Sequence, residues 1–278
     1  MKVPLFQVDA FTDRAFRGNP AAVCLLDGWI PDHVMQSIAA ENNLSETAFL
    51  VKKGYGIYEL RWFTPATEVD LCGHATLASA YVLFDVVKEV SEEVIFITRS
   101  GELRVHVDNG VFYMDFPARP PEPLLKPPGL ITSLKIEPTE VLKARDLLVV
   151  YDVQDVVKTI EPDFSALTAL SRDLNVLGII VTAPGNGKID FVSRFFAPIV
   201  GVPEDPVTGS AHCTLVPYWA RRLGKSELVA YQASKRGGEL FCRYCGDRVV
   251  IGGKAVLFAR GEILLEGGAE SDEGRVDL

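Results

Sequence analysis

Three short segments in the first half of the chain recur in the second at almost one spacing. Arg61-Trp62-Phe63-Thr64-Pro65 is answered by Arg194-Phe195-Phe196-Ala197-Pro198, and Cys72-Gly73-His74-Ala75 by Thr208-Gly209-Ser210-Ala211. Arg99-Ser100-Gly101-Glu102-Leu103 returns as Arg236-Gly237-Gly238-Glu239-Leu240. The steps from 61 to 194, 72 to 208 and 99 to 236 are offsets of 133, 136 and 137 residues, a register that chance matches would scatter. Such a period is far too long for a solenoid. It predicts two halves built alike, with a cleft between them as the natural place for a site.

A proline-rich stretch marks the division. Ala118-Arg119-Pro120-Pro121-Glu122-Pro123, followed by Pro127-Pro128-Gly129, suits neither helix nor central strand. The expected organisation is a first half over 1–117, a linker over 118–129, a second half over 130–265 and an acidic, disordered tail over 266–278. The chain's 278 residues, 48% of them hydrophobic, suffice for two modest cores. A net charge of −9 argues against nucleic acid or an anionic membrane surface as partner, since those need clustered cations. No leader-like segment or membrane-length apolar run is evident, and five scattered cysteines fit reduced thiols, so a cytoplasmic protein is expected.

Residues 6–11, 58–63, 103–107 and 111–116 alternate as half-buried strands do. A short helix is expected over 32–41, and a buried one over 74–84, where Leu77, Ala80, Tyr81 and Phe84 recur at helical spacing with little charge around them. The second half repeats the pattern, with a helix over 210–222 holding Pro217, and strands near 190–196, 229–235, 239–245, 248–251 and 255–259. Each half is therefore α+β, many strands enclosing one apolar helix.

Both enclosed helices start on the duplicated small-residue segment. Free N–H groups and the positive dipole end at Gly73-His74 and Gly209-Ser210 can hold a carboxylate, each end contributing about 0.3–2 kcal/mol. Glycine at a helix start also permits a tight turn, and both readings stand at this level.

The segments Phe16-Arg17-Gly18-Asn19-Pro20-Ala21-Ala22-Val23, Asn43-Leu44-Ser45-Glu46-Thr47-Ala48-Phe49, Leu71-Cys72-Gly73-His74-Ala75-Thr76 and Glu204-Asp205-Pro206-Val207-Thr208-Gly209-Ser210-Ala211 resemble those of the PhzF-like (phenazine biosynthesis) proteins of the diaminopimelate epimerase and proline racemase superfamily. The resemblance runs from about residue 6 to about 258. It implies two halves that each wrap a barrel-like sheet around a central helix, cofactor-independent isomerase chemistry in the cleft, a small carboxylate-bearing substrate and a homodimer. It places the general acid/base on Glu46, with His74 and Asp205 as catalytic partners, and Asn19, Ser45, Gly73, Gly209 and Ser210 around the substrate. A carboxyl group in a closed cleft is expected to have its pKa raised toward neutrality, able to take and return a proton.

The two copies differ where chemistry would sit. Amino-acid racemases of the superfamily resemble a device with one thiol from each half. Here Cys72 occupies the first such position and Thr208 the second, and an alcohol is a far poorer base than a thiol. A glutamate-centred proton shift is therefore expected, with Cys72 either a participant or a small buried residue. No metal is expected, although Cys72, His74, His212 and Cys213 are the ligands a zinc site at the interface would draw on. Cys242-Arg243-Tyr244-Cys245 reads as strand packing and Pro184-Gly185-Asn186-Gly187 as a hairpin turn. The reading is a small-molecule isomerase; the alternative is a binding module that keeps the fold without the activity.

Overall fold

The computed structural model describes residues 1–90 and 92–265; the tail expected over 266–278 lies outside them. The first repeat runs β1 (Lys2–Ala10), β2 (Asn19–Leu26), α1 (Asp32–Asn42), β3 (Glu46–Gly54), β4 (Ile57–Phe63), β5 (Glu68–Val69), α2 (Gly73–Tyr81), β6 (Glu93–Thr98), β7 (Gly101–Asp108) and β8 (Val111–Pro117). The second runs β9 (Glu122–Pro123), α3 (Leu130–Leu134), β10 (Glu140–Lys143), β11 (Leu147–Val150), α4 (Gln154–Thr159), α5 (Phe164–Leu174), β12 (Ile179–Pro184), β13 (Phe191–Ala197), β14 (Val202–Asp205), α6 (Gly209–Leu223), β15 (Glu227–Gln232), β16 (Gly238–Cys245), β17 (Arg248–Gly253) and β18 (Ala255–Leu264).

The repeats share one pairing scheme. β1–β2 is antiparallel, β2–β3 parallel, β3–β4 antiparallel and β4–β6 parallel, and β10–β11, β11–β12, β12–β13 and β13–β15 follow the same sequence. β8 and β17 then pair antiparallel with Met114 opposite Ile251, residues one repeat apart, so a local two-fold passes between them. The strands that follow the equivalent β8 and β17 cross over to the opposite repeat: β9 pairs with β10, and β18 runs the whole length of β1. Each repeat is thus closed around its helix by a strand continuous with the other.

The duplicated Arg-x-Phe segment has a structural reason. Arg61 holds Glu68 through two bonds of 2.7 Å and lies 5.2 Å over the Phe63 ring; Arg194 holds Glu204 at 2.7 and 3.0 Å and lies 4.8 Å over Phe196. In both copies a planar guanidinium ties a short strand, β5 or β14, to its neighbour.

The central helices need no polar face. His74 to Ala80 of α2 are all buried, and the hydroxyls of Thr76 and Ser79 turn back to the carbonyls of Cys72 and Ala75 at 2.6 and 2.7 Å. α2 continues as a π-helical turn over Val82–Val86. In α6, Pro217 lacks the N–H that would bond the Cys213 carbonyl, and the backbone N–H of Arg119 takes that acceptor at 2.8 Å. The core around both helices is continuous, from Leu77 and Phe112 to Phe191, Leu215 and Trp219. Cys242 and Cys245 lie in β16 without pairing, and residues 184–187 open the β12–β13 hairpin. Among the described residues no helix is long and apolar enough to cross a membrane.

Candidate functional site

The two helix starts meet at the local two-fold. A Cβ on Gly73 would stand 3.7 Å from the Gly209 Cα, and one on Gly209 3.8 Å from the Gly73 Cα. The N-cap residues Cys72 and Thr208 are extended and give no side-chain cap, because each side chain turns elsewhere. Two positive dipole ends therefore face one another across glycine backbone.

Glu46 opens β3, brought beside β2 by the parallel pairing of Ala21 with Glu46. His74 is the second residue of α2. Its Nε2 lies 3.0 Å from Glu46 Oε2 as an ion pair, and neither of these two buried atoms has a further hydrogen-bond partner. Burial pushes the Glu46 carboxyl up, but the charge of His74 and contacts with His74 and Cys72 outweigh it, holding the group below the ordinary glutamate range. Burial likewise pushes His74 down, and Cys72 and Glu46 outweigh that, raising it well above the ordinary histidine value. Burial and Glu46 push the Cys72 thiol up to about 11, so near neutral pH the counter-charge of His74 is Glu46. The expectation of a raised Glu46 pKa is thus corrected: its partner, 28 positions later in sequence, keeps the carboxylate ionised.

Asn19 ties this pair to the second repeat. Its Nδ2 donates to Asp205 Oδ1 and to the Val207 carbonyl, both at 2.9 Å, and lies 3.3 Å from His74 Nδ1, while its Oδ1 accepts from Ser45 Oγ at 3.4 Å. Two acceptors on one amide nitrogen fix which way the amide faces. Asp205 is half-buried; burial pushes its pKa up to about 6 against the pull of His74 and bonds from Thr208 and Asn19. Its Oδ2 accepts from Thr208 Oγ1, and buried Gln232 locks the corner, donating to the Asp205 carbonyl at 2.8 Å and accepting from the Thr208 N–H at 2.9 Å.

The loop before Asn19 is pinned across the repeats by Arg236, which donates to Asp9 Oδ1, the Arg17 carbonyl and the Gly18 carbonyl, each at 2.8 Å. Gly18 is required there: φ is +63°, and a Cβ would fall 2.0 Å from the Ala10 carbonyl oxygen. A depression of about 390 Å³ beside this loop is lined by Arg14, Arg17, Arg236 and Lys254 and does not include Glu46.

Glu46, His74, Asn19, Ser45 and Asp205 therefore form one connected cluster, with Gly73 and Gly209 at its edge. Ser210 stands apart, its Oγ accepting from Arg145 Nη2 at 2.9 Å. Arg145 and Gln232 were not singled out from sequence; neither lies in a duplicated segment, and only strand pairing brings them here. Among the described residues, Glu46, Cys72 and His74 are the trio whose donor atoms converge, within 4.8 Å of one another. A high-pKa thiol and a protonated imidazole would both have to lose protons to ligate a cation. His212 does not join them: its Nδ1 lies 2.9 Å from the Thr208 carbonyl, and burial pushes its pKa down to about 4.

Residues 8–261 match the family model for phenazine biosynthesis-like proteins, PhzC-PhzF. The chain is 53% identical to an uncharacterized isomerase of Pseudomonas aeruginosa, over 95% of this chain and all of that one. A crystal structure of a PhzF-family phenazine biosynthesis protein from Enterococcus faecalis is 50% identical, with a TM-score of 0.92 over 95% of this chain and 100% of that one. A hydroxyproline epimerase from Agrobacterium vitis, 11% identical with a TM-score of 0.62 over 94% and 92% of the two chains, has the same fold.

Proposed function

Because the chain belongs to the PhzC-PhzF family of phenazine biosynthesis-like proteins, we propose that it is a cofactor-independent isomerase that moves a proton between carbons of a small carboxylate-bearing substrate in the cleft between its repeats. The isomerase class rests on the curated relatives. The proton shift rests on one observation: Glu46 and His74 form a largely buried ion pair whose facing atoms have no further hydrogen-bond partner, beside two uncapped helix starts.

The ionised Glu46 acts as the base at rest. It takes a proton from a substrate carbon, the electron pair moves into the adjoining π system, and the proton is returned to a second carbon, so that one C–H bond breaks, another forms and no redox step occurs. The charged His74 stabilises the negative charge that develops, and the N–H groups at Gly73–His74 and Gly209–Ser210 hold the carboxylate. Asp205 works through Asn19: with both oxygens engaged, it fixes the amide that lies against the His74 ring. Thr208 leaves the second repeat without a thiol at the matching position, which disfavours a two-thiol racemisation.

The test is exchange of carbon-bound hydrogen for deuterium in heavy water, across a panel of cyclic and amino carboxylates. At least one acid should exchange, and Glu46→Gln should slow that exchange by about 10²–10⁴-fold. Binding without exchange for every acid in the panel would mark the chain as a binding module.

A further inference from the structure

The repeats can be aligned residue by residue through their strand pairing, and two of the aligned positions differ in charge. Ala21 of β2 pairs with Glu46, the first residue of β3, and Leu147 of β11 pairs with Ile179, the first residue of β12. Two residues upstream stand Asn19 and Arg145. Their contacts agree with this alignment, since Asn19 meets His74 and Arg145 meets Ser210, the second residues of α2 and α6. Where the first repeat carries Glu46 the second carries buried Ile179, and where the first has a neutral amide the second has a guanidinium.

Arg145 is held in place without being used up. Its Nε and Nη2 donate to Asp146 Oδ2 at 3.2 and 2.9 Å, and Nη2 also reaches Ser210; the side chain remains 33% exposed, with Nη1 engaged by none of these bonds. Asp146 is fully buried, with Arg119 as a second positive neighbour, so this corner carries two cations against one carboxylate. Across the glycine contact, His74 is 6% exposed and its Nε2 faces Glu46 Oε2 at 3.0 Å with no further partner. The two helix starts have separate equipment: an ion pair of Glu46 and His74 at one, a preset cation with a hydroxyl at the other.

We infer that Arg145 and Ser210 form the carboxylate clamp of the site, fixing the substrate in one orientation with its reacting carbons toward Glu46 and His74. This rests on the isomerase reading for the identity of the reacting end, but not for the clamp itself. Arg145 is then a specificity residue: a charge-assisted pair favours an anion over its neutral isostere by roughly tenfold or more.

The probes are benzoate and benzamide, titrated into the isotope-labelled full chain and followed at the Ser210 backbone amide, with thermal unfolding as the check on folding. Benzoate should shift that amide and bind at least about tenfold more tightly than benzamide. Arg145→Met should abolish the preference while leaving benzamide binding unchanged, Arg145→Lys should restore part of it, and Glu46→Gln should keep it. If Arg145→Met does not fold, Ser210→Ala should still reduce the preference several-fold. A wild-type chain whose Ser210 amide ignores benzoate, or a folded Arg145→Met that keeps the tenfold preference, overturns the clamp. Preference that follows Arg145, with no acid exchanging hydrogen in heavy water, leaves the clamp standing and removes the isomerase.

Discussion

Replacing Glu46 by Gln should change His74 before it changes anything else. At 3.0 Å the attraction between the two charges amounts to about 5 kcal/mol with an effective dielectric of about 20, an upper bound that the desolvation of both groups reduces. The variant keeps the side chain's shape and leaves an imidazolium buried without a counter-charge, so His74 should lose its proton at a lower pH than in the wild type. The pH dependence follows from the two directions. The raised His74 contributes stability that is complete below its unfolded value of 6.5 and is lost as pH rises through its folded value. The lowered Glu46 contributes stability that is complete above 4.5 and is lost as pH falls through its folded value. Between about pH 4.5 and 6.5 both contributions are whole. There Glu46→Gln should cost on the order of 3 kcal/mol in urea unfolding, and the cost should shrink toward zero as pH rises past the folded His74 value. Nitrogen-detected titration of His74 is the direct assay. A wild-type His74 that titrates at or below 6.5, or a stability loss that stays the same size above the pH at which His74 is seen to titrate, would refute the ion pair.

Two further outcomes follow from the same geometry. Cys72→Ala should leave turnover within about tenfold of wild type, because a thiol with a pKa of about 11 supplies little thiolate near neutral pH; loss of exchange in this variant with survival in Glu46→Gln would make the thiol the working base. Gly18→Ala should destabilise by more than about 2 kcal/mol and disturb the site through Asn19, since φ is +63° and the added Cβ would meet the Ala10 carbonyl oxygen at 2.0 Å; an unchanged melting temperature would show that the loop is not held as described.

The repeat was legible because its copies share residues that do the same mechanical work, such as Arg61 and Arg194 on their glutamates. The enclosed helices were legible too, since a helix buried all round has no polar stripe to hide. What escaped was set by pairing across long separations. The Asn19–Arg145 correspondence spans 126 residues, not 133–137, because the segments between equivalent strands differ in length, so no motif match could align them. The ionisation of Glu46 was misread for a related reason: desolvation was read from its expected place in a closed cleft, while the counter-charge that wins arrives from α2. Arg236 was visible as part of a duplicated segment, yet its role in pinning the Asn19 loop exists only in three dimensions, through Asp9, Arg17 and Gly18.

The crossing of β18 onto β1 also orders events in time. During synthesis the first repeat emerges with one long edge of its sheet, β1, lacking the strand that will cover it, since β18 is made after every other strand described. The N-terminal half therefore cannot complete itself as an independent unit while the chain is growing; its final backbone ladder joins residues as far apart as Lys2 and Leu264. The open edge must be kept from other strands until β18 is made, and the proton-transfer pair, which sits on the first repeat, gains its tie through Asn19 to Asp205 only once β14 has been made.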